Sequence, residues 1–191
     1  MSPQKHPATI KVWDPLVRIF HWSLVIFFSI AYVTEDDLMQ LHVWAGYGIL
    51  VLITFRLIWG LIGTRHARFT DFVKKPHVVF QYLRDILHGN AKRYLGHNPA
   101  GGAMVVLLLL LLTATGISGV ALYGIEEHAG PLAEWTRNWP HIMEDILEET
   151  HELLANTTLL LVLIHIGGVL LASLQHGENL IASMWHGKKS D

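Results

Sequence analysis

The sequence predicts an all-α membrane protein, a transmembrane four-helix bundle with an interfacial helix in one loop. Of its 191 residues, 51% are hydrophobic and only 16% are charged. Four apolar runs have about the 20 residues that a helix needs to cross a hydrocarbon core. The runs are too long and continuous for barrel strands, and in lipid their backbone groups must be paired within helices.

The four predicted spans form a single domain that covers residues 1–191. A short acidic turn, Thr34–Asp37, joins the first two spans, so these helices are expected to be antiparallel neighbours. The leucine run Leu107–Leu112 marks the centre of the third span. The spans are predicted at residues 16–33, 38–62, 103–123 and 151–174.

The basic residues predict the orientation of the spans. Of the 14 Lys and Arg residues, Arg137 is the only one in the two loops that an N-inside topology places outside. The polar segment 1–15 has no cleavable signal pattern, so the first span is expected to be retained. Because Lys and Arg in short loops stay on the cytoplasmic side, we expect a multi-pass protein of the bacterial inner (cytoplasmic) membrane with both termini cytoplasmic.

The loop between the second and third spans, residues 63–102, mixes apolar side chains with many basic ones. The basic residues are Arg65, Arg68, Lys74, Lys75, Arg84, Lys92 and Arg93. This mixture predicts an amphipathic helix at the membrane interface, with its basic side chains toward anionic lipid headgroups. Membrane lipid is therefore an expected partner, and no nucleic-acid partner is expected.

The chain has no cysteine and 13 histidines. The absence of cysteine excludes disulfides, thiolate-held iron–sulfur clusters and the thioether attachment of c-type haem. A redox cofactor must therefore be held by other side chains. Histidines inside apolar segments are the natural candidates, because a polar group in a membrane span needs a partner.

Four of these histidines pair by depth. His151 and His165 are 14 residues apart in the fourth span, so they share a helix face and lie roughly 21 Å apart along the axis. His21 follows the inner start of the first span, and His42 follows the outer start of the second. The topology therefore pairs His21 with His165 on the inner side and His42 with His151 on the outer side.

Two neutral imidazoles on opposite faces of a porphyrin, inside an apolar bundle, are what a b-type haem requires. The four histidines thus predict two haem b groups and transmembrane electron transfer between them. One alternative is that each histidine only hydrogen-bonds a neighbouring helix. Another is a metal other than haem, although two ligands per site leave its coordination unfilled.

Two arginines in the spans have two interpretations each. Arg18 lies one turn before His21, and Arg56 lies in the inner half of the second span, so both could reach the propionates of the inner haem. Either guanidinium could instead reach lipid phosphate. Glycines in the spans indicate close helix packing or clearance for haem; they are Gly46, Gly48, Gly60, Gly63, Gly116, Gly119, Gly167 and Gly168.

Five motifs in order resemble the prokaryotic cytochrome b561 superfamily, and most of all the branch of Ni,Fe-hydrogenase b-type cytochrome subunits. They are Val12-Trp13-Asp14-Pro15 through Arg18 to His21-Trp22; His42 with Gly46-Tyr47; Arg56 to Trp59-Gly60; Gly96-His97-Asn98-Pro99 with Gly101-Gly102; and Glu149-Thr150-His151-Glu152 continuing to His165 and Gly167-Gly168. The resemblance covers nearly the whole chain. The resemblance implies a di-haem bundle that exchanges electrons between the quinone pool and a donor or acceptor outside. The haem-ligand histidines of the family match all four of these histidines.

The outer partner is suggested by charge. The outer loops are strongly acidic, which favours a basic soluble redox protein such as a c-type cytochrome, or a catalytic dehydrogenase or hydrogenase subunit. The acidity is equally explained by topology and solvation. The same charge disfavours a superoxide:quinone oxidoreductase, an activity of other superfamily members, because its substrate is an anion.

The remaining alternatives concern His97 and the kind of protein. A quinone headgroup could meet His97 at the inner start of the third span, whereas Asn98 and Pro99 suit a turn that starts a helix. An electron-transfer subunit is expected rather than a self-sufficient enzyme. A haem-containing membrane anchor for a catalytic partner is a third hypothesis.

Overall fold

A computed structural model describes residues 9–35 and 38–190 of the chain. The turn residues Asp36 and Asp37 lie outside this described part. Eight helices and two short strands follow one another along it. They are β1 (Thr9–Lys11), α1 (Pro15–Val33), α2 (Met39–Ile62), a 3₁₀ turn (Arg65–Ala67), α3 (Phe69–Phe72), α4 (Pro76–Leu87), α5 (Pro99–Glu126), α6 (Ala133–Thr136), α7 (Ile142–His176), α8 (Leu180–His186) and β2 (Lys188–Ser190).

Four helices, α1, α2, α5 and α7, are long and apolar enough to cross a membrane. The first two match the predicted spans closely, but α5 and α7 extend past them. The added turns at the start of α7 contain Glu144 and Asp145, whose negative charges interact favourably with the positive end of the helix dipole. Hydropathy therefore detected the apolar part of α7 and missed its polar extension.

The apolar side chains of these helices are largely exposed on the protein. Leu153 is 67% exposed and Leu163 is 58% exposed, although both lie within α7. Large exposed apolar surfaces of this kind are rare on water-soluble proteins. Lipid contact accounts for them, and the chain is a helical membrane protein, as its sequence predicts.

Contacts divide the chain into two compact units. The first unit contains residues 1–20, 57–105 and 164–191. The second unit contains residues 21–56 and 106–163. Among the described residues, the first unit has 11 Lys or Arg against 4 Asp or Glu, and the second has 2 against 9.

In the first unit, Asp14 links three elements. Its carboxylate accepts hydrogen bonds from the Val17 amide (3.0 Å), the Thr64 hydroxyl (2.6 Å) and the Trp59 indole (3.3 Å). Asp14 thus caps α1, with Pro15 as the first helical residue. Burial by itself raises the pKa of Asp14, but these hydrogen bonds outweigh it and hold the pKa below its ordinary value.

The first unit also joins the two ends of the described chain. Strands β1 and β2 pair antiparallel, with Ile10 opposite Lys189. Lys189 is largely buried and lies 3.5 Å from Glu178, which also pairs with Arg93. The loop of this unit contains α4, the helix predicted there, in which Tyr82 is buried while Phe80 and Leu87 are exposed.

In the second unit, helices approach one another at small residues. A Cβ built on Gly48 of α2 would lie 3.1 Å from the Phe27 ring of α1, and one on Gly116 of α5 would lie 2.5 Å from Leu50 of α2. Contact at glycine is a common way to bring membrane helices close. Gly48 and Gly116 therefore have the packing role, which was one of the two roles proposed for such glycines.

Candidate cofactor-binding site

Two of the predicted histidines face each other in the second unit. His42 lies in the first turn of α2, and His151 lies two and a half turns inside α7. Their ring centroids are 6.0 Å apart and the ring planes are inclined at 75°. An imidazole nitrogen binds a metal at about 2 Å, so rings on opposite sides of one metal ion have centres roughly 6 Å apart. The separation therefore suits a shared iron.

Hydrogen bonds orient both rings. Nδ1 of His42 lies 2.8 Å from the carbonyl oxygen of Ala31. Nδ1 of His151 lies 3.0 Å from the carbonyl oxygen of Thr115 and 3.0 Å from the Ser118 hydroxyl. A carbonyl only accepts, so each Nδ1 carries the hydrogen and each Nε2 keeps its lone pair. Metal-binding histidines are typically oriented by such a bond from the other ring nitrogen.

The two rings line a cavity between helices of the second unit, the His42–His151 cavity. Small side chains form much of its wall, namely Ala31, Gly46, Gly116, Gly119 and Ala155. A wall of small residues leaves room for a large flat ligand.

Two glycines shape the cavity in different ways. A Cβ added to Gly119 would lie 2.7 Å from Cε1 of His151, so this imidazole packs directly against the glycine. A Cβ added to Gly46 would meet no atom within 4 Å, so Gly46 faces the open space. The absence of a side chain at Gly119 therefore lets the His151 ring lie against α5. The absence of a side chain at Gly46 leaves space in the cavity.

The donor set and the cavity together fit a b-type haem. No group of three or more His, Cys, Asp or Glu residues is arranged for a metal ion within the described ranges. A bare ion between His42 and His151 would thus have two protein ligands, fewer than the four that zinc usually takes. A porphyrin supplies the other nitrogen ligands itself, which leaves two axial positions for imidazoles.

The other predicted pair belongs to two different units. His21 lies in α1 and in the second unit, where its ring contacts Trp22 edge to face at 5.1 Å. His165 lies in α7 and in the first unit. The pairing of His21 with His165 stays a prediction.

The two arginines have different surroundings. Nη1 of Arg18 donates to the carbonyl oxygen of Trp185 at 2.7 Å, which ties the start of α1 to the end of α8. Arg56 lies in α2 and is only 2% exposed. A buried guanidinium in a membrane span is costly and indicates a functional role, so Arg56 is the stronger candidate for contact with an anionic group.

His97 lies among aromatic rings in the first unit. Its ring centroid is 4.7 Å from that of Trp13 and 4.6 Å from that of Phe72. The next residue, Asn98, accepts a hydrogen bond from the Gly101 amide at 2.7 Å, and Pro99 begins α5. Asn98 and Pro99 therefore start the helix, and His97 is a packed side chain next to that turn.

Sequence reasoning missed the groups that orient the histidines. The acceptors for His151 are Thr115 and Ser118, which lie in the otherwise apolar third span. Polar residues in such a span usually face another helix, and this is the signal that could have found the Ser118 hydroxyl. The Thr115 and Ala31 carbonyls are backbone groups, and no residue type reveals them.

Comparisons with known proteins identify the family of the chain. The family model described as prokaryotic cytochrome b561 matches residues 12–187. A probable Ni/Fe-hydrogenase B-type cytochrome subunit of Bradyrhizobium diazoefficiens is 24% identical over 95% of this chain and 86% of its own length. A protein of the same description from Rhizobium leguminosarum bv. viciae is also 24% identical, over 95% of this chain and 89% of its own length. No solved structure gives a significant match.

Proposed function

Because the chain belongs to the prokaryotic cytochrome b561 family, we propose that it carries electrons across the membrane between the quinone pool and a redox partner outside. It is a membrane cytochrome that transfers electrons through haem b. We further propose that it holds two haems between histidine ligands, that a quinone is one electron partner, and that both termini are cytoplasmic.

One observation carries the proposal: the His42 and His151 rings lie 6.0 Å apart, and each Nδ1 is hydrogen-bonded. We assign these residues as the axial ligands of the outer haem. Their hydrogen bonds to backbone carbonyls hold both imidazoles in the tautomer with Nε2 free to bind iron. Bound haem supplies the one-electron redox chemistry, which amino-acid side chains at this site do not provide.

The inner haem is assigned to His21 and His165 on the basis of depth. His165 follows His151 by 14 residues on the continuous helix α7, a rise of roughly 21 Å. Two haems at these depths would span most of a hydrocarbon core about 30 Å thick. Arg56, buried in α2, and Arg18 are the proposed contacts for the inner propionates.

The orientation follows from the charges of the units. The first unit carries the excess of Lys and Arg and contains both ends of the described chain. Basic residues in short loops stay in the cytoplasm, so we place both termini there and the protein in the bacterial inner membrane. The acidic loops of the second unit then face outward.

The two electron partners are assigned by location and charge. Quinone is placed on the cytoplasmic side, with His97 as its proposed protein contact. The acidic outer loops suit a basic soluble redox protein or a catalytic subunit with a basic docking face. The relatives are described as subunits of Ni/Fe-hydrogenase, so a hydrogenase is one candidate for the outer partner.

Haem quantitation and reduced-minus-oxidised spectra of the purified protein test this proposal. We expect two b haems per chain, and we expect His151→Ala to retain one. A matched control is His141→Ala, because His141 is a fully exposed side chain that only approaches Glu144 at 3.7 Å. One haem or none in the unmodified protein would contradict the di-haem proposal.

A haem-containing anchor for a catalytic subunit is the second candidate, favoured because both relatives are described as subunits. Co-purification with a large catalytic protein, whose activity survives the loss of one haem, would support it. Rapid reduction of the haems by superoxide, followed by turnover with added quinone, would instead support a self-sufficient enzyme.

A further inference from the structure

Polar side chains line one end of the His42–His151 cavity. They are Tyr32, Glu35, Tyr47 and Tyr123. Tyr32 and Glu35 flank the end of α1, and Tyr123 lies in the last turn of α5. Tyr47 lies about two turns inside α2. We call these four residues the cavity mouth.

Two phenols at the cavity mouth, those of Tyr47 and Tyr123, pack against the same residue. A Cβ added to Gly130, which has a φ of +80°, would lie 2.8 Å from Oη of Tyr47 and 2.9 Å from Cδ1 of Tyr123. The loop at Gly130 therefore packs against both phenols. Tyr32 donates to Oδ1 of Asn156 at 2.8 Å, but within the described part of the chain the structure gives the Tyr47 and Tyr123 hydroxyls no hydrogen-bond partner.

The mouth offers no cation. The described Lys and Arg residues of the second unit are Arg56 and Arg137. Arg56 follows His42 by 14 residues on α2, roughly 21 Å along the helix axis. The Arg137 side chain is 69% exposed and pairs with Glu134 at 3.3 Å. The charged residue that lines the cavity is Glu35, which repels anions.

We propose that the hydroxyls of Tyr47 and Tyr123 hold the propionates of the outer haem, in place of the arginines assigned to the inner one. This inference rests on the proposed function. A propionate is a carboxylate, and an ionised group inside an apolar bundle needs hydrogen-bond donors. The cavity mouth supplies neutral phenol donors, so the propionates of the haem lie toward Tyr47 and Tyr123. The negative charge of Glu35 weakens the binding of the haem.

Reconstitution of the haem-free membrane protein with two porphyrins tests the proposal. One porphyrin is haem b, and the other is its dimethyl ester, in which both propionates are neutral. Tyr47→Phe and Tyr123→Phe should each weaken the outer binding of haem b roughly 10-fold or more, as expected for a lost hydrogen bond to a charged group. The same variants should leave the affinity for the ester unchanged, whereas Glu35→Gln should tighten haem b alone.

Tyr94→Phe is the matched control, because it removes a phenol hydroxyl from the first unit and should not change outer binding. Equal losses for both porphyrins would show that the tyrosines only pack, and would overturn the proposal. Unchanged affinity for haem b in both tyrosine variants would also overturn it. If the unmodified protein took up neither porphyrin between His42 and His151, the proposed function itself would fail.

Discussion

Gly119 of α5 lies directly against the imidazole of His151 on α7, so that a Cβ on the glycine would come within 2.7 Å of the ring carbon Cε1. The same ring is oriented by Thr115, about one turn before Gly119 on α5, and by Ser118, the residue directly before it. One short segment of α5 thus determines both where the His151 ring lies and which of its nitrogens faces the cavity.

Gly119→Ala should displace the His151 ring and remove the outer haem. An added methyl group at this site overlaps the imidazole, and a packed helix pair has little room to relax. Under the di-haem proposal, haem content should fall from two to one per chain. Gly167→Ala is the control, since its Cβ meets no atom within 4 Å, and it should retain the outer haem. Two haems in Gly119→Ala would contradict the prediction.

Gly46→Leu should exclude the outer haem by filling the cavity. The Cβ of residue 46 points into open space, so the variant has room for its side chain without haem. Replacing a helical glycine should also stabilise α2 by about 0.5–1 kcal/mol. Val51→Leu, at a 68% exposed position of α2, is the control that keeps both haems. Haem content and thermal unfolding in detergent measure the two effects, and full haem content in Gly46→Leu would refute the prediction.

Asp14→Ala should destabilise the first unit. The carboxylate caps α1 and accepts hydrogen bonds from Thr64 and Trp59, so its loss should lower the free energy of unfolding by about 1–3 kcal/mol. Asp85→Ala is the control, because the Asp85 side chain makes no hydrogen bond within the described residues. Denaturant unfolding in detergent measures the difference. Equal stability of the two variants would show that the cap contributes little.

Glu178 should make the junction of the chain ends sensitive to acid. Burial raises the pKa of Glu178, but Arg93 and Lys189 outweigh it and hold the pKa below its ordinary value of 4.5. The ionised form therefore stabilises the folded state above about pH 4.5, and this contribution is lost as the pH falls through the lower folded pKa. The protection factors of the β2 amides against hydrogen exchange, which are relative to the intrinsic rate at each pH, should fall over that range.

Glu178→Gln should lower the same protection factors at neutral pH and remove their acid dependence. The control is Glu134→Gln, whose side chain is 88% exposed and forms only a surface ion pair with Arg137. If the protection factors of β2 in the unmodified protein did not change with acid, the ion pairs of Glu178 would have no role in holding the strands together.

The helices and the candidate histidines could be predicted from the sequence, but the surroundings of these histidines could not. Asn98 precedes Pro99, a local signal for a helix start that the structure bears out, and the structure shows the same arrangement at Asp14 and Pro15. The polar start of α7 was missed, since a search for apolar residues does not detect amphipathic turns. Tyr47 and Tyr123 were also missed as a pair, because 76 residues separate them.

The sequence by itself determined that the protein is a helical membrane bundle with histidines at two depths. Both properties depend on consecutive residues: hydropathy selects the spans, lipid forces the backbone into helices, and helical rise converts spacing into depth. Only the tertiary structure decided that His42 and His151 face each other across a cavity. It also decided that Gly119 lies beside the His151 ring and that each ring is hydrogen-bonded to a backbone carbonyl. Such contacts depend on how separate helices pack, which is set by side-chain shape across the whole interface and not by any local pattern.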